Sequence, residues 1–177
     1  NLGLIRGDVD LGLGDDRYDG ARGRLEGVLY GGVGDDSLAG GKGGDIIWGD
    51  DGSDGGQVSA DLISGGKGSD QLHGEGGDDT LIGGGGADTL SGGYGKDSFR
   101  YSADDDSNVG QQDLIVDLGK YDIIDLAGID ADAGAVGDQA FVLVAALDGH
   151  AGQAALAYDA SIDATRLELD TDGDGLA

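Results

Sequence analysis

Short strand-like segments recur along the first 100 residues, and each carries one large apolar residue at its centre. From residue 31 the chain reads GGVGDDSLA and GGKGGDIIW, and from residue 65 it reads GGKGSDQLH, GEGGDDTLI, GGGGADTLS and GGYGKDSFR. The apolar residue holds the eighth position of each nine-residue copy: Leu38, Ile47, Leu72, Leu81, Leu90 and Phe99. One inward-facing side chain per short strand cannot form a core alone, so the pattern predicts stacked repeats.

The polar positions of these copies are equally regular. The fourth residue is glycine in every copy: Gly34, Gly43, Gly68, Gly77, Gly86 and Gly95. The sixth residue is aspartate in every copy: Asp36, Asp45, Asp70, Asp79, Asp88 and Asp97. Glycine permits backbone angles that other residues avoid, so each copy reads as a six-residue turn followed by a three-residue strand. A disordered Gly-Asp linker would not keep three separate phases.

Other segments depart from this pattern. Residues 49–64 read as one repeat with seven extra residues, which leaves both Asp54 and Asp61 as candidates for its acidic position. A degenerate copy at 11–19 adds Asp16 and Tyr18, whereas residues 20–30 fit no repeat. Glu75 and Asp50 replace the second glycine of their copies, and we expect strained turns there.

Composition narrows the function classes. The net charge of −26 excludes a nucleic-acid binder and argues against an electrostatic membrane anchor. No apolar run of about 20 residues occurs, so no membrane insertion is expected. Cysteine is absent, so disulfides and thiolate metal sites are excluded. Of the 40 glycines, 31 lie in the first 100 residues, which predicts a boundary near Arg100. Together with the start of the repeats, this predicts three segments at 1–27, 28–100 and 101–177.

The aspartates point to a metal. Stacked turns would bring their carboxylates close together, which is unfavourable without a cation. Calcium takes six to eight oxygen ligands from carboxylates and carbonyls, whereas magnesium prefers a tight octahedron with retained waters. Zinc would lack its usual nitrogen and sulfur ligands. The expected cofactor is therefore Ca2+, as several ions.

The six copies resemble the RTX (hemolysin-type) calcium repeat. The resemblance implies an all-β chain, with a right-handed parallel β-roll and a C-terminal β-rich cap. It also implies that calcium lies between a turn and the turn two repeats later, pairing Asp70 with Asp88, Asp79 with Asp97, Asp36 with Asp54 and Asp45 with Asp70. The implied ligands are the carboxylates of Asp36, Asp45, Asp54, Asp61, Asp70, Asp79, Asp88 and Asp97, and backbone carbonyls at or next to Gly31, Gly32, Gly40, Gly41, Gly65, Gly66, Gly74, Gly83, Gly84, Gly92 and Gly93.

The C-terminal segment has its own pattern. Short strands are predicted at 113–118, 121–126, 141–147, 153–160 and 165–170, with a helical turn between 127 and 138. The phrases GKDSFRYS, DLIVDLGKYDIIDL, IDADAGAVGDQAFVLV and DTDGDGLA resemble the C-terminal domain of serralysin-type secreted metalloproteases. That resemblance implies a secreted, extracellular protein with type I secretion machinery as a partner. The DTDGDG phrase at 170–175 reads equally as half of an EF-hand loop or as an acidic turn.

These observations predict a calcium-binding module that folds on calcium binding after secretion and has no catalysis of its own. The two histidines, His73 and His150, do not form an H-E-x-x-H motif, and no G-x-S-x-G elbow occurs. The alternative is that the chain is the C-terminal part of a larger secreted enzyme (a metalloprotease, lipase or alginate epimerase) or of a surface adhesin.

Overall fold

The computed structural model describes residues 3–51, 58–103, 106, 111–129, 131–132, 141–159 and 164–170. Contacts divide the chain into two compact units, 1–126 and 127–177. All regular structure among the described residues is β-strand, which confirms the all-β class. No helix in this part of the chain is long and apolar enough to cross a membrane.

The first unit contains two six-stranded parallel sheets. Sheet I consists of β2 (Val9–Leu13), β5 (Val28–Val33), β7 (Ile46–Trp48), β9 (Gln71–Gly76), β11 (Thr89–Tyr94) and β13 (Leu114–Ile115). Sheet II consists of β3 (Arg17–Asp19), β6 (Ser37–Ala39), β8 (Leu62–Lys67), β10 (Thr80–Gly85), β12 (Ser98–Arg100) and β14 (Ile123–Asp125). Successive strands alternate between the sheets, so each strand pairs with the strand two repeats away. This topology confirms the predicted parallel β-roll. A separate two-stranded pair joins β1 (Leu4–Arg6) to β4 (Arg24–Glu26).

The apolar eighth positions form the core between the two sheets. Their register is direct: Leu72 of β9 lies opposite Leu90 of β11, and Leu81 of β10 lies opposite Phe99 of β12. The large apolar side chains of this core that are at most 1% exposed are Leu29, Leu38, Ile47, Ile63, Leu72, Leu81, Leu90 and Phe99. Burial of each such side chain stabilises the roll by about 1.5–3 kcal/mol. Only stacking makes this burial possible, because each strand contributes a single core residue.

The ninth positions of the repeats lie on the outer surface of the roll. Trp48 of β7 and His73 of β9 are register partners there, and both are half-buried. Their rings stack with centroids 4.0 Å apart and an angle of 15° between the planes. Such stacking adds modestly to the stability of the strand pair.

The C-terminal segment contains all five predicted strands. The first two are β13 and β14, which are shorter than predicted and continue the two sheets of the roll. The others form a three-stranded sheet in the second unit: β15 (Val142–Val144), β16 (Gln153–Asp159) and β17 (Ala164–Asp170). β16 pairs in parallel with β15 and antiparallel with β17. The division into 1–27, 28–100 and 101–177 stays a prediction, as does the serralysin-like nature of the last segment.

Two expectations fall partly outside the described residues. The helical turn predicted between 127 and 138 meets described residues only at 127–129 and 131–132, and none of these is helical. The DTDGDG phrase is described only at Asp170, which ends β17.

Candidate metal centre

Two columns of aspartates follow the turns of the roll. Each acid immediately precedes a strand, and the turns alternate in the same way as the strands. Column I precedes the strands of sheet I and contains Asp45, Asp70, Asp88 and Asp113. Column II precedes the strands of sheet II and contains Asp16, Asp36, Asp61, Asp79, Asp97 and Asp122.

One hydrogen bond repeats along both columns. The backbone amide of each acid donates to the Oδ1 atom of the next acid in its column. In column I, Asp45 donates to Asp70 at 2.7 Å and Asp70 donates to Asp88 at 2.8 Å. In column II, Asp79 donates to Asp97 at 3.1 Å. This bond uses the Oδ1 atom of each accepting carboxylate and does not involve its Oδ2 atom.

The second carboxylate oxygen, Oδ2, of most of these aspartates is buried and makes no hydrogen bond. Burial is nearly complete for most of these acids: Asp36, Asp61, Asp70, Asp79, Asp88 and Asp97 are at most 2% exposed. Their Oδ2 atoms are buried without a hydrogen-bond partner, as is that of Asp16. Burying an ionised carboxylate oxygen without a partner is costly, so each of these atoms is a candidate metal ligand.

Backbone carbonyls face the same positions. A Cβ atom added to Gly31 would contact Asp36 Oδ2 and would lie 2.5 Å from the Gly49 carbonyl oxygen. A Cβ atom added to Gly74 would contact Asp79 Oδ2 and would lie 2.6 Å from the Gly92 carbonyl oxygen. The missing Cβ therefore leaves a small space lined by one carboxylate and one carbonyl from different turns.

The predicted glycine ligand positions all line these turns. The first-position glycines Gly40, Gly65, Gly83 and Gly92 also face the Oδ2 atom of their own aspartate. The second-position glycines pack on a carbonyl of the preceding turn in the stack, and Gly32, Gly66, Gly84 and Gly93 do so with positive φ. Gly41 instead faces the carbonyls of Gly20 and Gly23, at 2.7 and 2.8 Å from an added Cβ.

The insertion is resolved in favour of one acid. The amide of Asp36 donates to Asp61 Oδ1 at 2.8 Å, and the amide of Asp61 donates to Asp79 Oδ1 at 2.8 Å. Asp61 thus occupies the sixth position of this repeat and is the partner of Asp36, in place of the implied Asp36–Asp54 pair. Asp54 itself lies outside the described residues. The other implied pairs, Asp70 with Asp88, Asp79 with Asp97 and Asp45 with Asp70, are brought together.

The two substituted second positions differ from each other. Glu75 has φ 75°, the one positive φ of a non-glycine residue in the described part of the chain, which fits the expected strain. Asp50 has no positive φ. It is 2% exposed, and its Oδ1 atom accepts a hydrogen bond of 2.8 Å from the Ser59 hydroxyl. This bond joins the two ends of the insertion.

The site suits a hard cation with oxygen ligands. Among the described residues, no three acidic or histidine side chains converge on one point, so carboxylates act in pairs and carbonyls must complete any coordination shell. Carboxylates combined with carbonyls form the donor set of calcium, and these turns present both kinds of oxygen. Bound calcium would supply the positive charge that the buried carboxylates lack.

Sequence comparison decides what these turns are. Residues 28–55, 56–90 and 73–107 match the family model of the RTX calcium-binding nonapeptide repeat (four copies). These matches together span residues 28–107, which are referred to below as the RTX repeats. No curated protein matches the chain. The RTX repeats coincide with the core of the roll, and both aspartate columns continue beyond them.

Three column members lie outside the RTX repeats and were not among the predicted ligands: Asp16, Asp113 and Asp122. The amide of Asp97 donates to Asp122 Oδ1 at 3.1 Å, and the amide of Asp16 donates to Asp36 Oδ1 at 2.7 Å. A sequence signal exists for all three, because each acid stands two residues before a core-facing Tyr18, Ile115 or Ile124. Their turns lack the full glycine pattern, which is why the repeat is hard to recognise there.

Burial also changes the acidity of these carboxyls. Burial, followed by the charges of neighbouring aspartates, raises the pKa of Asp61, Asp70 and Asp79 from 3.8 to about 7, although backbone amides partly offset the shift. The pKa values of Asp36, Asp45, Asp88 and Asp97 are raised in the same direction, with burial as the largest cause. In the absence of metal, the roll therefore holds protons that the unfolded chain has released.

A pH dependence of opposite sign with and without calcium is expected. Between about pH 4 and pH 7 the metal-free folded roll binds more protons than the unfolded chain, so its stability falls as pH rises through the raised pKa values. Calcium requires the ionised carboxylates, so the stabilisation by calcium grows over the same range. Melting curves at pH 5 and pH 8, with chelator and with calcium, measure both trends. A metal-free chain that is no more stable at pH 5 than at pH 8 would contradict the expectation.

Proposed function

We propose that this chain is a calcium-dependent folding module of a secreted protein, with no catalysis of its own. The observation that carries the proposal is the set of buried Oδ2 atoms without partners along the two aspartate columns. The match to RTX repeats supports a calcium-binding module, and the columns give a reason why calcium should control its folding.

The electrostatic balance supports a folding switch. Without metal, the roll must bury rows of carboxylates close together in a chain of net charge −26, which opposes the compact state. Each ion that binds only the folded state stabilises it by RT ln(1 + [L]/Kd), or roughly 1–3 kcal/mol when calcium exceeds Kd several-fold or more. Several sites acting together would outweigh the repulsion and the entropic cost of ordering many glycines.

Secretion gives such a switch its use. We place the chain outside the cell, with the type I secretion machinery as its export partner. Low calcium inside the producing cell would keep the roll unfolded for passage, and higher calcium outside would fold it. The chain contains no cysteine, so calcium would take the stabilising role that disulfides have in many small secreted domains.

The surroundings of both histidines support a non-catalytic role. His73 stacks on Trp48, and its pKa is lowered by burial. His150 is exposed and lies 2.7 Å from Asp148 Oδ1, a carboxyl whose pKa this histidine lowers. The acids of the two columns accept hydrogen bonds from backbone amides through Oδ1, and we assign them to the proposed metal sites.

A calcium titration followed by far-ultraviolet circular dichroism tests the proposal. We expect a coil-to-β transition between sub-millimolar and millimolar calcium, reversed by chelator and absent with magnesium, because magnesium does not readily accept a shell of this size. Metal counting at saturation should show several ions per chain. A chain with its full β signal in chelator would refute the folding switch.

A further inference from the structure

We propose that Asp88 and Asp113 form an additional calcium site, in a turn that lies outside the repeat pattern. The turn between β12 and β13 ends at Asp113, beyond the last matched residue, 107, and it lacks the glycine signature of the repeats. The inference rests on the proposed calcium-binding function, but it adds a partner acid, Asp113, that the repeat motif does not mark.

The two carboxylates have the geometry of the repeat sites. The amide of Asp88 donates to Asp113 Oδ1 at 2.9 Å, the same bond that links consecutive acids elsewhere in the columns. Asp88 is 2% exposed, and its Oδ2 atom is buried without a hydrogen-bond partner. A Cβ atom added to Gly83 would lie 2.5 Å from Asp88 Oδ2 and 3.2 Å from Asp113 Oδ2. Both oxygens therefore border one small space beside Gly83.

Two neighbouring residues, Tyr101 and Asp106, influence the position and the electrostatic environment of the Asp88 and Asp113 carboxylates. The half-buried Tyr101 side chain lies close enough to the Asp113 carboxylate to interact with it electrostatically, which would help to position that carboxylate. The Asp106 carboxylate accepts hydrogen bonds from the amides of Ser102 and Ala103, at 2.8 and 3.0 Å, and adds negative charge near the pair. At this site Tyr101 would supply positioning that glycines supply in the repeats.

The donors favour calcium over other common ions. The two carboxylates provide hard oxygen ligands, and neither nitrogen nor sulfur is part of the described arrangement. The alternative is a purely structural role, in which Asp113 only accepts the hydrogen bond from the amide of Asp88 and binds no metal. Asparagine would preserve that hydrogen bond through its side-chain oxygen but would remove the charge that a cation needs.

The test compares Asp113→Asn with Asp78→Asn in the full chain. Asp78 is an exposed turn acid, so its substitution makes the same change in charge away from the buried columns. At saturating calcium, metal analysis is expected to find one ion fewer per chain in Asp113→Asn and the wild-type number in Asp78→Asn. Circular dichroism should show the β signal in both. An unchanged ion count in folded Asp113→Asn would overturn the proposal.

A second variant covers the case in which Asp113→Asn does not fold. Tyr101→Phe keeps every charge and the ring but removes the hydroxyl group beside Asp113. One ion should then be lost at a chelator concentration several-fold lower than in the wild type, and an isotherm identical to that of the wild type would overturn the proposal. If the wild-type chain binds no calcium at all, the proposed function fails instead, which separates the two outcomes.

Discussion

Asp79→Asn should raise the calcium concentration needed for half-maximal folding by at least about tenfold, which corresponds to about 1.4 kcal/mol. Asp79 lies in the middle of column II, where its Oδ1 atom accepts the amide of Asp61 and its own amide donates to Asp97. The substitution keeps the shape and the hydrogen bond but removes a charge that two neighbouring calcium positions would share. Calcium titrations followed by circular dichroism measure the shift.

The adjacent acid provides the control. Asp78 is exposed and its Oδ1 atom accepts the amide of Lys96 at 3.0 Å, so Asp78→Asn changes the net charge equally without entering the column. A second signature separates the two variants. In chelator, Asp79→Asn should make the compact state more favourable, since it removes a buried carboxylate whose ionisation opposes folding. Equal shifts for the two variants would rule out a specific role for Asp79.

Gly86→Ala should lower the free energy of unfolding in saturating calcium by about 3–5 kcal/mol. Gly86 has φ 143°, a region that only glycine adopts readily, and an added Cβ would collide with the carbonyl group of Gly68 in the turn below. The backbone strain costs roughly 1–3 kcal/mol, and overpacking against a carbonyl adds a similar amount. Denaturant unfolding at fixed calcium gives the measurement.

Its neighbour in sequence is the matched control. An added Cβ at Gly85 would meet nothing within 4 Å, and Gly85 has no positive φ. Gly85→Ala should therefore change the free energy of unfolding by less than about 1 kcal/mol. Similar losses for both variants would show that the stacked turns are looser than the structure indicates.

The sequence was sufficient to assign core residues wherever the glycine, aspartate and apolar positions of the repeat occurred together. Leu72, Leu81 and Phe99 could be assigned to the core because glycine, aspartate and apolar residue recur together, and stacking is the one arrangement that buries them. Leu29 was not predicted as part of a repeat, because the turn before it has no aspartate next to the strand. The strand Val28–Val33 nevertheless joins sheet I through the same register.

The insertion shows what the sequence left open. Asp54 keeps the distance from the first glycine, and Asp61 keeps the distance to the core residue Ile63. Strand register decides between them, because the acid must adjoin the strand for its Oδ1 atom to reach the amide of Asp36. A similar reason hid Asp113 and Asp122: each follows its partner by 25 residues, as Asp61 follows Asp36, and only the acid and the apolar position remain recognisable.

Because Trp48 stacks on His73, the single tryptophan of the chain can serve as a fluorescent probe of the pairing between β7 and β9. The two rings are 25 residues apart along the chain and meet only when alternate repeats are in register. Indole emission should therefore change when β7 and β9 pair, whatever the state of the three-stranded sheet formed by β15, β16 and β17. Stopped-flow fluorescence would then measure the rate at which this one strand pair forms. Circular dichroism cannot isolate that event, because its signal averages over the whole backbone.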